Sequence, residues 1–340
     1  MKAAVTRKYG PPREVLQLTE VATPRPADDE VLIRLCASSV NPLDSFTIRG
    51  PLSFVPKLGM LLKPKHKIAG ADFAGRVESV GRGIKQFRPG DEVFGASFTG
   101  TGLGGFAEFV CVRENSLAPK PTNLSFEESA AVPVAAITAL QGLRDHGQIR
   151  RGQKVLIDGA SGGVGTFAVQ IAKSFGAEVT AVCSPSNLGR ARVIGADHVI
   201  DYTQEDFTRS ELQYDLILGA NAYHSIFDYR RALTRDGIFV MVGGSLARIL
   251  QAVSLGPLLS LIGNKKVRFF IAKMNGRDLL LLKDLLEAGK IVPVIDRRYP
   301  LSEVAEALHY REEGHAQGKV VIAIHHREDC LATPIKSPPL

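Results

Sequence analysis

The sequence predicts an α/β protein with two domains, the first rich in short strands and the second built on a parallel sheet covered by helices. The chain has 340 residues, about twice a common domain length. Its 45% hydrophobic and 23% charged residues are close to globular averages. The apolar pattern changes near residue 125, from short runs broken by Gly and Pro to continuous runs that alternate with helical segments.

The first part of the chain, up to about residue 124, is predicted to form a compact β-rich domain. Gly and Pro separate its apolar runs, as is typical of short strands joined by turns. The predicted strands are residues 3–5, 30–35, 73–80, 92–96 and 106–112.

The second part, from about residue 126, shows apolar runs spaced by helix-length segments. Strands that are apolar on both faces indicate a parallel sheet with helices on each side. The predicted strands are residues 155–157, 179–182, 198–200, 216–218, 239–242 and 267–272. A leucine-rich helix over 277–288 stops at Gly289, a strand over 319–324 follows, and residues 325–340 are expected to be a poorly ordered tail.

Composition and charge exclude several other classes of protein. The net charge is +7, a mild excess that does not by itself favour nucleic acid or an anionic membrane as a partner. Four widely spaced cysteines, Cys36, Cys111, Cys183 and Cys330, form no C-x-x-C pair. The N-terminus lacks the apolar core of a signal peptide, and no run is long enough for a membrane span. We therefore expect a cytoplasmic protein.

The most specific signal is a glycine-rich loop between a predicted strand and a predicted helix. Residues 155–165 read VLIDGASGGVG, which matches G-x-G-x-x-G with Ala160 in the first glycine place, Gly162 in the second and Gly165 in the third. Small residues there allow a tight turn, a close approach to a pyrophosphate and close packing of helix on strand. Free amides of the helix N-terminus then face the anion. The loop, including Ser161, Gly163 and Val164, therefore predicts dinucleotide binding.

The end of the second strand of this unit favours NADPH over NADH. An NAD site needs an acidic residue there to bind the ribose 2′-hydroxyl, but residues 179–196 contain none. Ser184, Asn187 and Arg190 supply donors and positive charge, which suit a 2′-phosphate. Tyr202 is a candidate to stack near the adenine. The alternatives are that Arg190 lies on a solvated helix face and that Tyr202 is an ordinary packing residue.

Seven motifs in one register resemble the zinc-independent branch of the medium-chain dehydrogenase/reductase superfamily, the quinone oxidoreductase-like enzymes. The resemblance covers residues 1–325. The motifs are SVNPLD at 39–44, GADFAGRV at 70–77, GDEVFG at 90–95, GGFAEF at 104–109, the loop at 159–165, GADHVI at 195–200 and GKVV at 318–321.

This resemblance implies a GroES-like catalytic domain and a doubly wound Rossmann domain inserted into it. The expected boundaries are 1–124 with 274–325 for the GroES-like domain and 125–273 for the NADP-binding domain, followed by a flexible tail at 326–340. The family also implies a homodimer.

In the register of this resemblance, the zinc-ligand places hold Asn41, Ala71 and about Ala135. Two of these three cannot bind a metal, and the cysteine-rich lobe of a structural zinc site is missing. We therefore predict no metal site.

The resemblance implies hydride transfer from NADPH to a quinone or to the β-carbon of an α,β-unsaturated carbonyl. Asn41 is the first candidate beside the nicotinamide, and Asp44 is expected to fix its loop through Arg49. Cofactor contacts are expected at Thr138, Asn221, Gly243, Gly244 and Phe270, with Lys319 reaching the ribose phosphates. The proton donor is unassigned, because no tyrosine follows the Asn41 loop as it does in enoyl-thioester reductases.

Two other functions stay open: a non-catalytic NADPH-binding redox sensor or RNA-binding protein, and an alcohol dehydrogenase. Basic residues without acids lie between Arg49 and Ala71 and between Arg248 and Arg277. We expect them to make the cleft electropositive, and residues 54–67, with His66, to lie at its mouth.

Overall fold

The computed structural model describes residues 1–50, 64, 67–97, 104–261, 263–314 and 316–324, and their strands form three sheets. The strands are β1 (Lys2–Thr6), β2 (Leu16–Glu20), β3 (Glu30–Ser39), β4 (Asp72–Val80), β5 (Glu92–Ala96), β6 (Phe109–Arg113), β7 (Leu117–Pro119), β8 (Lys154–Asp158), β9 (Glu178–Cys183), β10 (His198–Asp201), β11 (Tyr214–Gly219), β12 (Leu233–Met241), β13 (Lys266–Phe269), β14 (Ile295–Pro300) and β15 (Lys319–Ala323).

The α-helices lie mainly between the strands of the second part of the chain. They are α1 (Pro12–Val15), α2 (Pro42–Arg49), α3 (Phe126–Ala130), α4 (Pro133–Gln141), α5 (Gly163–Ser174), α6 (Leu188–Val193), α7 (Ile226–Arg231), α8 (Leu246–Leu261), α9 (Gly276–Glu287) and α10 (Val304–Glu312). Helix α4 continues into a π-helical turn, Gly142–His146.

A six-stranded sheet in the order β10-β9-β8-β11-β12-β13 forms the doubly wound part of the fold. All of its neighbouring strands are parallel. Strand order reverses beside β8, and such a switch point opens a crevice at the carboxyl ends of the strands. This confirms the α/β fold class and the parallel sheet predicted from the apolar runs.

A seven-stranded, mostly antiparallel sheet joins the two ends of the chain, because β15 inserts between β14 and β3. Two predicted strands are shorter or shifted: the strand expected at 106–112 begins at Phe109, and the one expected at 267–272 is Lys266–Phe269. Phe106 and Ala107 instead pair with Ala69 and Ala3. The predicted domain boundaries at 124/125 and 273/274 stay predictions.

One buried apolar cluster runs from one large sheet to the other. It includes Ala74 and Phe94 of the seven-stranded sheet, Ile137 of α4, and Ile157 and Phe167 beside the glycine loop. Because these side chains are fully buried, the packing holds the crevice of the parallel sheet against the antiparallel sheet. Within the described ranges, no helix combines the length and hydropathy that a membrane crossing requires.

Candidate active site

The glycine-rich loop leaves β8 in a left-handed turn and enters α5. The turn is made by Gly159, whose φ is 81°, and not by Ala160, to which the sequence pattern assigned it. Ala160 is fully buried and its N–H donates to the Val182 carbonyl. A side chain at Gly159 would meet Asn221 at 2.8 Å, so the turn also permits the close approach of the segment after β11.

Two later glycines of the loop are needed for different reasons. A Cβ on Gly165 would lie 2.1 Å from the Gly159 carbonyl oxygen, so Gly165 permits the close packing of helix on strand, as predicted. A Cβ on Gly162 would meet only the Gly159 oxygen, at 3.6 Å. Gly162 therefore leaves an open space before the first amides of α5, and this space suits a pyrophosphate.

The carboxyl group that precedes the loop is buried and bonded to a tyrosine. Asp158 accepts a hydrogen bond from the Tyr229 hydroxyl. Burial raises the pKa of Asp158 to about 7. Sequence reasoning missed this pair, although an acid that ends an otherwise apolar strand is a visible signal.

A cavity of about 290 Å³ lies between the loop, β15 and the segment before α2. It brings together Asn41 and seven of the predicted cofactor residues, which are separated in sequence by up to 278 positions. Those seven are Ser161, Gly162, Gly163, Val164, Gly165, Asn221 and Lys319.

A buried polar network lies behind one wall of this cavity: Asn41 and Lys319 line the cavity, and Asp72 does not. Lys319 Nζ donates to Asn41 Oδ1 at 2.8 Å, to Asp72 Oδ2 at 3.1 Å and to the Val40 carbonyl at 3.4 Å. Asp72 is fully buried and also accepts from Asn41 Nδ2, Ser39 Oγ and the Val134 N–H. Lys319 Nζ therefore contacts Asn41, while the stem of its side chain lies beside the loop, where a Cβ on Gly163 would be 2.9 Å from Lys319 Cδ. A contact of Lys319 with the ribose phosphates stays a prediction.

Asp72 is the main site residue that sequence reasoning missed. It lies within the motif at 70–77, and an acid at the start of a buried strand is unusual. Its carboxylate connects β3, β4, α4 and β15 through the contacts just described.

Asp44 is fully buried and does not line the cavity. Its carboxylate accepts from the Asn41 N–H at 2.7 Å and the Gly70 N–H at 3.1 Å, and burial raises its pKa to about 7. It therefore positions the Asn41 loop. The predicted partner was wrong: Arg49 pairs with Glu312 at 2.6 Å, because α10 packs beside α2.

A second cation, Arg311 of α10, lines the cavity. Its Nε is buried and has no hydrogen-bond partner among the described residues. Burial lowers the pKa of this guanidinium. The cavity lining contains Lys319 and Arg311 and no acidic residue among the described ranges, so an anion would be favoured there.

The residues predicted to hold a 2′-phosphate lie at the end of β9, outside this cavity. Asn187 is buried, its Nδ2 donates to Ser184 Oγ at 2.8 Å, and its Oδ1 has no partner in the described part of the chain. Arg190 donates to the Gln317 carbonyl at 2.6 Å. Tyr202 is about half exposed and lies edge-on to Tyr223 at 6.3 Å.

Four other predicted cofactor residues do not line this cavity either. The Thr138 hydroxyl donates to Val134 inside its own helix. Gly243 and Gly244 allow the end of β12 to approach Ala220 and Ala222, since a Cβ on either would lie within 2.5 Å of a carbonyl oxygen. Phe270 stacks on His146 at 4.1 Å and lines a separate cavity of about 920 Å³.

The residues at the predicted zinc-ligand places do not fit a metal. The side chains of Ala71 and Ala135 carry no atom that can ligate a metal, and the Asn41 amide is held by an ammonium and a carboxylate. Within the described ranges, no three His, Cys, Asp or Glu side chains cluster as metal ligands would. The predicted cleft-mouth segment at 54–67 lies outside the described residues, apart from 64 and 67.

Comparison with known families matches both parts of the chain. Residues 27–122 match the alcohol dehydrogenase GroES-like domain, and residues 194–322 match the zinc-binding dehydrogenase family. The first match confirms the GroES-like architecture predicted for the N-terminal part.

Known relatives align over nearly the whole chain. A 2-methylene-furan-3-one reductase of Solanum lycopersicum is 36% identical over 335 residues, which cover 95% of this chain and 79% of the relative. A chloroplastic NADPH-dependent alkenal/one oxidoreductase of Arabidopsis thaliana is 33% identical over 333 residues, with the same coverage of each chain.

A solved structure, the quinone oxidoreductase of Coxiella burnetii, superposes with a TM-score of 0.83. It is 28% identical, over 96% of this chain and 99% of the other. The fold, the glycine loop and these relatives all indicate the same superfamily. The chain therefore belongs to the medium-chain dehydrogenase/reductase superfamily, among its NAD(P)H-dependent, quinone oxidoreductase-like and alkenal/one reductase-like oxidoreductases.

Proposed function

We propose that this protein uses NADPH, without zinc, to reduce a quinone or the C=C bond of an α,β-unsaturated carbonyl compound. The observation that carries the proposal is the cavity in which the glycine loop faces Asn41 and Lys319. A dinucleotide site and a buried cation thus share one space.

The loop and Arg311 would hold the pyrophosphate of the cofactor. Gly162 leaves room for it, and the first amides of the 12-residue helix α5 face this room. The guanidinium of Arg311 adds a charged donor to the cavity lining. NADPH, when bound, supplies the hydride.

The polar group at the end of β9 supports NADPH rather than NADH. Ser184 and Asn187 provide a hydroxyl and an amide, and β9 ends in Cys183 rather than in an acid. A carboxylate there would bind the ribose hydroxyl of NADH and repel a 2′-phosphate.

Lys319 and Asn41 would bind the substrate oxygen. Their two longest hydrogen bonds, from Lys319 Nζ to Val40 O and from Asn41 Nδ2 to Ser39 O, are both 3.4 Å and weak. These donors can therefore exchange a backbone partner for a substrate oxygen that gains negative charge. Lys319 also holds a proton at Nζ close to that oxygen. A quinone or enone is already electrophilic, so the site needs no Lewis acid.

Steady-state turnover of the purified chain tests this function. We expect NADPH oxidation with small quinones, alkenals or enones, unchanged by a chelator, and much weaker activity with NADH. Lys319→Met should lower kcat, while the exposed Lys290→Met should leave turnover unchanged.

Three outcomes would overturn the proposal. Chelator-sensitive oxidation of simple alcohols would support an alcohol dehydrogenase. Tight NADPH binding without turnover over a broad acceptor panel, with salt-sensitive retention of RNA, would support the redox sensor or RNA-binding protein. Equal use of NADH and NADPH would contradict the cofactor assignment. The homodimer and the cytoplasmic location stay predictions, for native mass measurement and fractionation to test.

A further inference from the structure

Asp158 and Tyr229 form a buried pair directly behind the glycine loop. Asp158 is the last residue of β8 and is 2% exposed, and Tyr229 of α7 is fully buried. The Tyr229 hydroxyl donates to Asp158 Oδ2, and the Gly159 N–H donates to the same carboxyl group. Within the described ranges, no Lys or Arg contributes to holding this carboxyl. Two neutral donors therefore replace the cation that a buried carboxylate usually needs.

The backbone of Asp158 joins two segments that line the candidate active site. Its carbonyl accepts from the Ala220 N–H at 2.9 Å and from the Asn221 N–H at 3.3 Å. Gly159, Ala220 and Asn221 all line the cavity. Asp158 therefore ties the left-handed turn of the loop to the segment after β11.

The Tyr229 ring is fixed by aromatic packing. It lies nearly parallel to the Phe239 ring, with the centroids 4.1 Å apart, and 5.9 Å from the Phe207 ring. All three side chains are fully buried. The hydroxyl thus meets Asp158 from a fixed direction, and a phenylalanine in place of Tyr229 would keep the ring packing while it removes the donor.

Asp158 is the group of this cluster whose charge changes around neutral pH. Burial raises its pKa to about 7. Burial and the negative charge of Asp158 raise the pKa of both neighbouring tyrosines, Tyr229 and Tyr223. His224 stacks on Tyr223 at 4.1 Å, and burial lowers the pKa of its imidazole. The neighbours of Asp158 in the adjacent strands and in the loop carry no titratable side chain; they are Val182, Gly219 and residues 159–166.

An anion in the glycine loop would lie close to this carboxyl group. Gly162 leaves the space that suits a pyrophosphate, and its N–H donates to the Gly159 carbonyl at 3.2 Å. A pyrophosphate there and an ionised Asp158 would repel each other across the short loop. Such linkage is reciprocal: a bound pyrophosphate makes Asp158 hold its proton more tightly, and a proton on Asp158 favours the pyrophosphate.

We propose that Asp158 and Tyr229 are a positioning pair for the glycine loop, and that NADPH binding is coupled to the uptake of a proton by the Asp158 carboxylate. The proton comes from the solvent, forms an O–H bond with a carboxylate oxygen and returns to the solvent when the cofactor leaves. Neither residue touches the reacting atoms. The inference rests on the proposed use of NADPH and adds a pH-dependent step to cofactor binding.

Calorimetric titration of the wild type with NADPH tests the proposal. Titrations in PIPES, HEPES and Tris, whose ionisation enthalpies differ, count the protons that are taken up for each cofactor bound. We expect a net uptake of a fraction of a proton near neutral pH. NADPH affinity should fall roughly fivefold between about pH 6 and about pH 8.

Asp158→Asn should bind NADPH more tightly than the wild type at about pH 8, roughly fivefold, because the variant lacks the carboxylate charge. It should also take up fewer protons. A merely structural role predicts the opposite, since a damaged loop loses affinity. Comparison of the two proteins at each pH cancels the titration of the cofactor's own 2′-phosphate.

Tyr229→Phe should shift the loss of NADPH affinity to higher pH, by roughly one pH unit, because the ionised carboxyl loses a donor. Tyr214→Phe is the matched control. Tyr214 is also buried, but it lies at the amino end of β11, away from the loop. This variant should keep the pH profile of the wild type.

Two results would overturn the inference alone: NADPH binding and turnover by the wild type without proton uptake, or the same pH dependence of NADPH affinity in Asp158→Asn as in the wild type. If Asp158→Asn did not fold, the proton count of the wild type and the profile of Tyr229→Phe would still decide. Absence of NADPH binding by the wild type would overturn the proposed function together with this inference.

Discussion

Lys319 Nζ lies 2.8 Å from Asn41 Oδ1, and both side chains are buried although 278 positions separate them in the sequence. Asp72 holds both, with its Oδ2 at 3.1 Å from Lys319 Nζ and 2.9 Å from Asn41 Nδ2. The candidate active site therefore depends on a buried ion pair between Lys319 of β15 and Asp72 of β4.

Lys319→Met should destabilise the fold, because it leaves the Asp72 carboxylate buried without its cation. Breaking a buried pair typically costs about 3–5 kcal/mol. Urea unfolding measures the loss. The double variant Lys319→Met/Asp72→Asn should recover part of it, and a loss below about 0.5 kcal/mol in the single variant would contradict the role of the pair.

Gly162→Ala and Gly165→Ala should separate cofactor binding from folding. A Cβ at Gly162 meets no close neighbour, and the φ of this residue is −79°. Gly162→Ala should therefore keep its thermal stability and lose affinity for NADPH, about tenfold or more. Gly165→Ala should lose stability, since its Cβ would lie 2.1 Å from a carbonyl oxygen.

Calorimetric titration and thermal unfolding of both glycine variants test this contrast. Gly189→Ala serves as the control, because its Cβ would meet nothing within 4 Å. Unchanged NADPH affinity in Gly162→Ala would remove the loop from the cofactor site.

Ser184→Asp should shift cofactor preference from NADPH toward NADH. The new carboxylate would repel a 2′-phosphate and accept from a 2′-hydroxyl. We expect the ratio of kcat/KM values for the two cofactors to change on the order of 100-fold. Ser184→Asn is the uncharged control of similar size, and an equal change in both variants would point to shape rather than charge.

Arg311→Leu should weaken NADPH binding, because it removes a partly buried cation from the cavity wall. The loss of one charged hydrogen bond is worth about 1.5–3 kcal/mol, or roughly tenfold or more in Kd. Arg311→Lys should restore part of the affinity, and Arg298→Leu, at an exposed ion pair, should have no effect. Unchanged affinity in Arg311→Leu would place the cofactor elsewhere.

The contribution of Asp158 to the stability of the wild type should fall as pH rises from about 4 to about 7. The native pKa of Asp158 is raised to about 7, above its unfolded value of about 3.9. The native state therefore holds this proton more tightly, and its stabilising effect is lost as the pH passes through that window. Asp44 contributes in the same direction.

Asp158→Asn should flatten this profile, since the amide oxygen still accepts from Tyr229 but does not titrate. Urea unfolding at about pH 5 and about pH 8 measures the difference, which we expect to be roughly 2–4 kcal/mol. If the free energy of unfolding changed equally with pH in the two proteins, Asp158 would be ionised in the native state throughout this pH range.

The sequence predicted the α/β class, the order of the six parallel strands along the chain and the glycine loop, because these depend on local spacing. The apolar runs at 155–157 and 216–218 had to be buried on both faces. The loop followed from small residues at fixed positions.

The sequence could not predict contacts that depend on packing between distant elements. Arg49 pairs with Glu312 because α10 lies beside α2, and no local pattern contains that information. Arg311 was missed for the same reason. Asp72 showed a local signal, an acid at the start of a buried strand, but its partners Val134 and Lys319 lie far along the chain. The left-handed turn is made by Gly159, one position before Ala160, where the motif placed it. Glycine adopts a positive φ without a steric penalty and alanine does not, so the turn falls on the glycine.

The place of β15 in the sheet also affects the order in which the molecule can be completed during synthesis. β15 lies between β14 and β3 and carries Lys319, yet it is made after every other described strand. Until β15 leaves the ribosome, β3 lacks this neighbour, and the carboxylate of Asp72 has no contact with Lys319. A chain that ends before residue 319 would therefore keep an open sheet edge, which invites aggregation, and could not assemble the candidate active site.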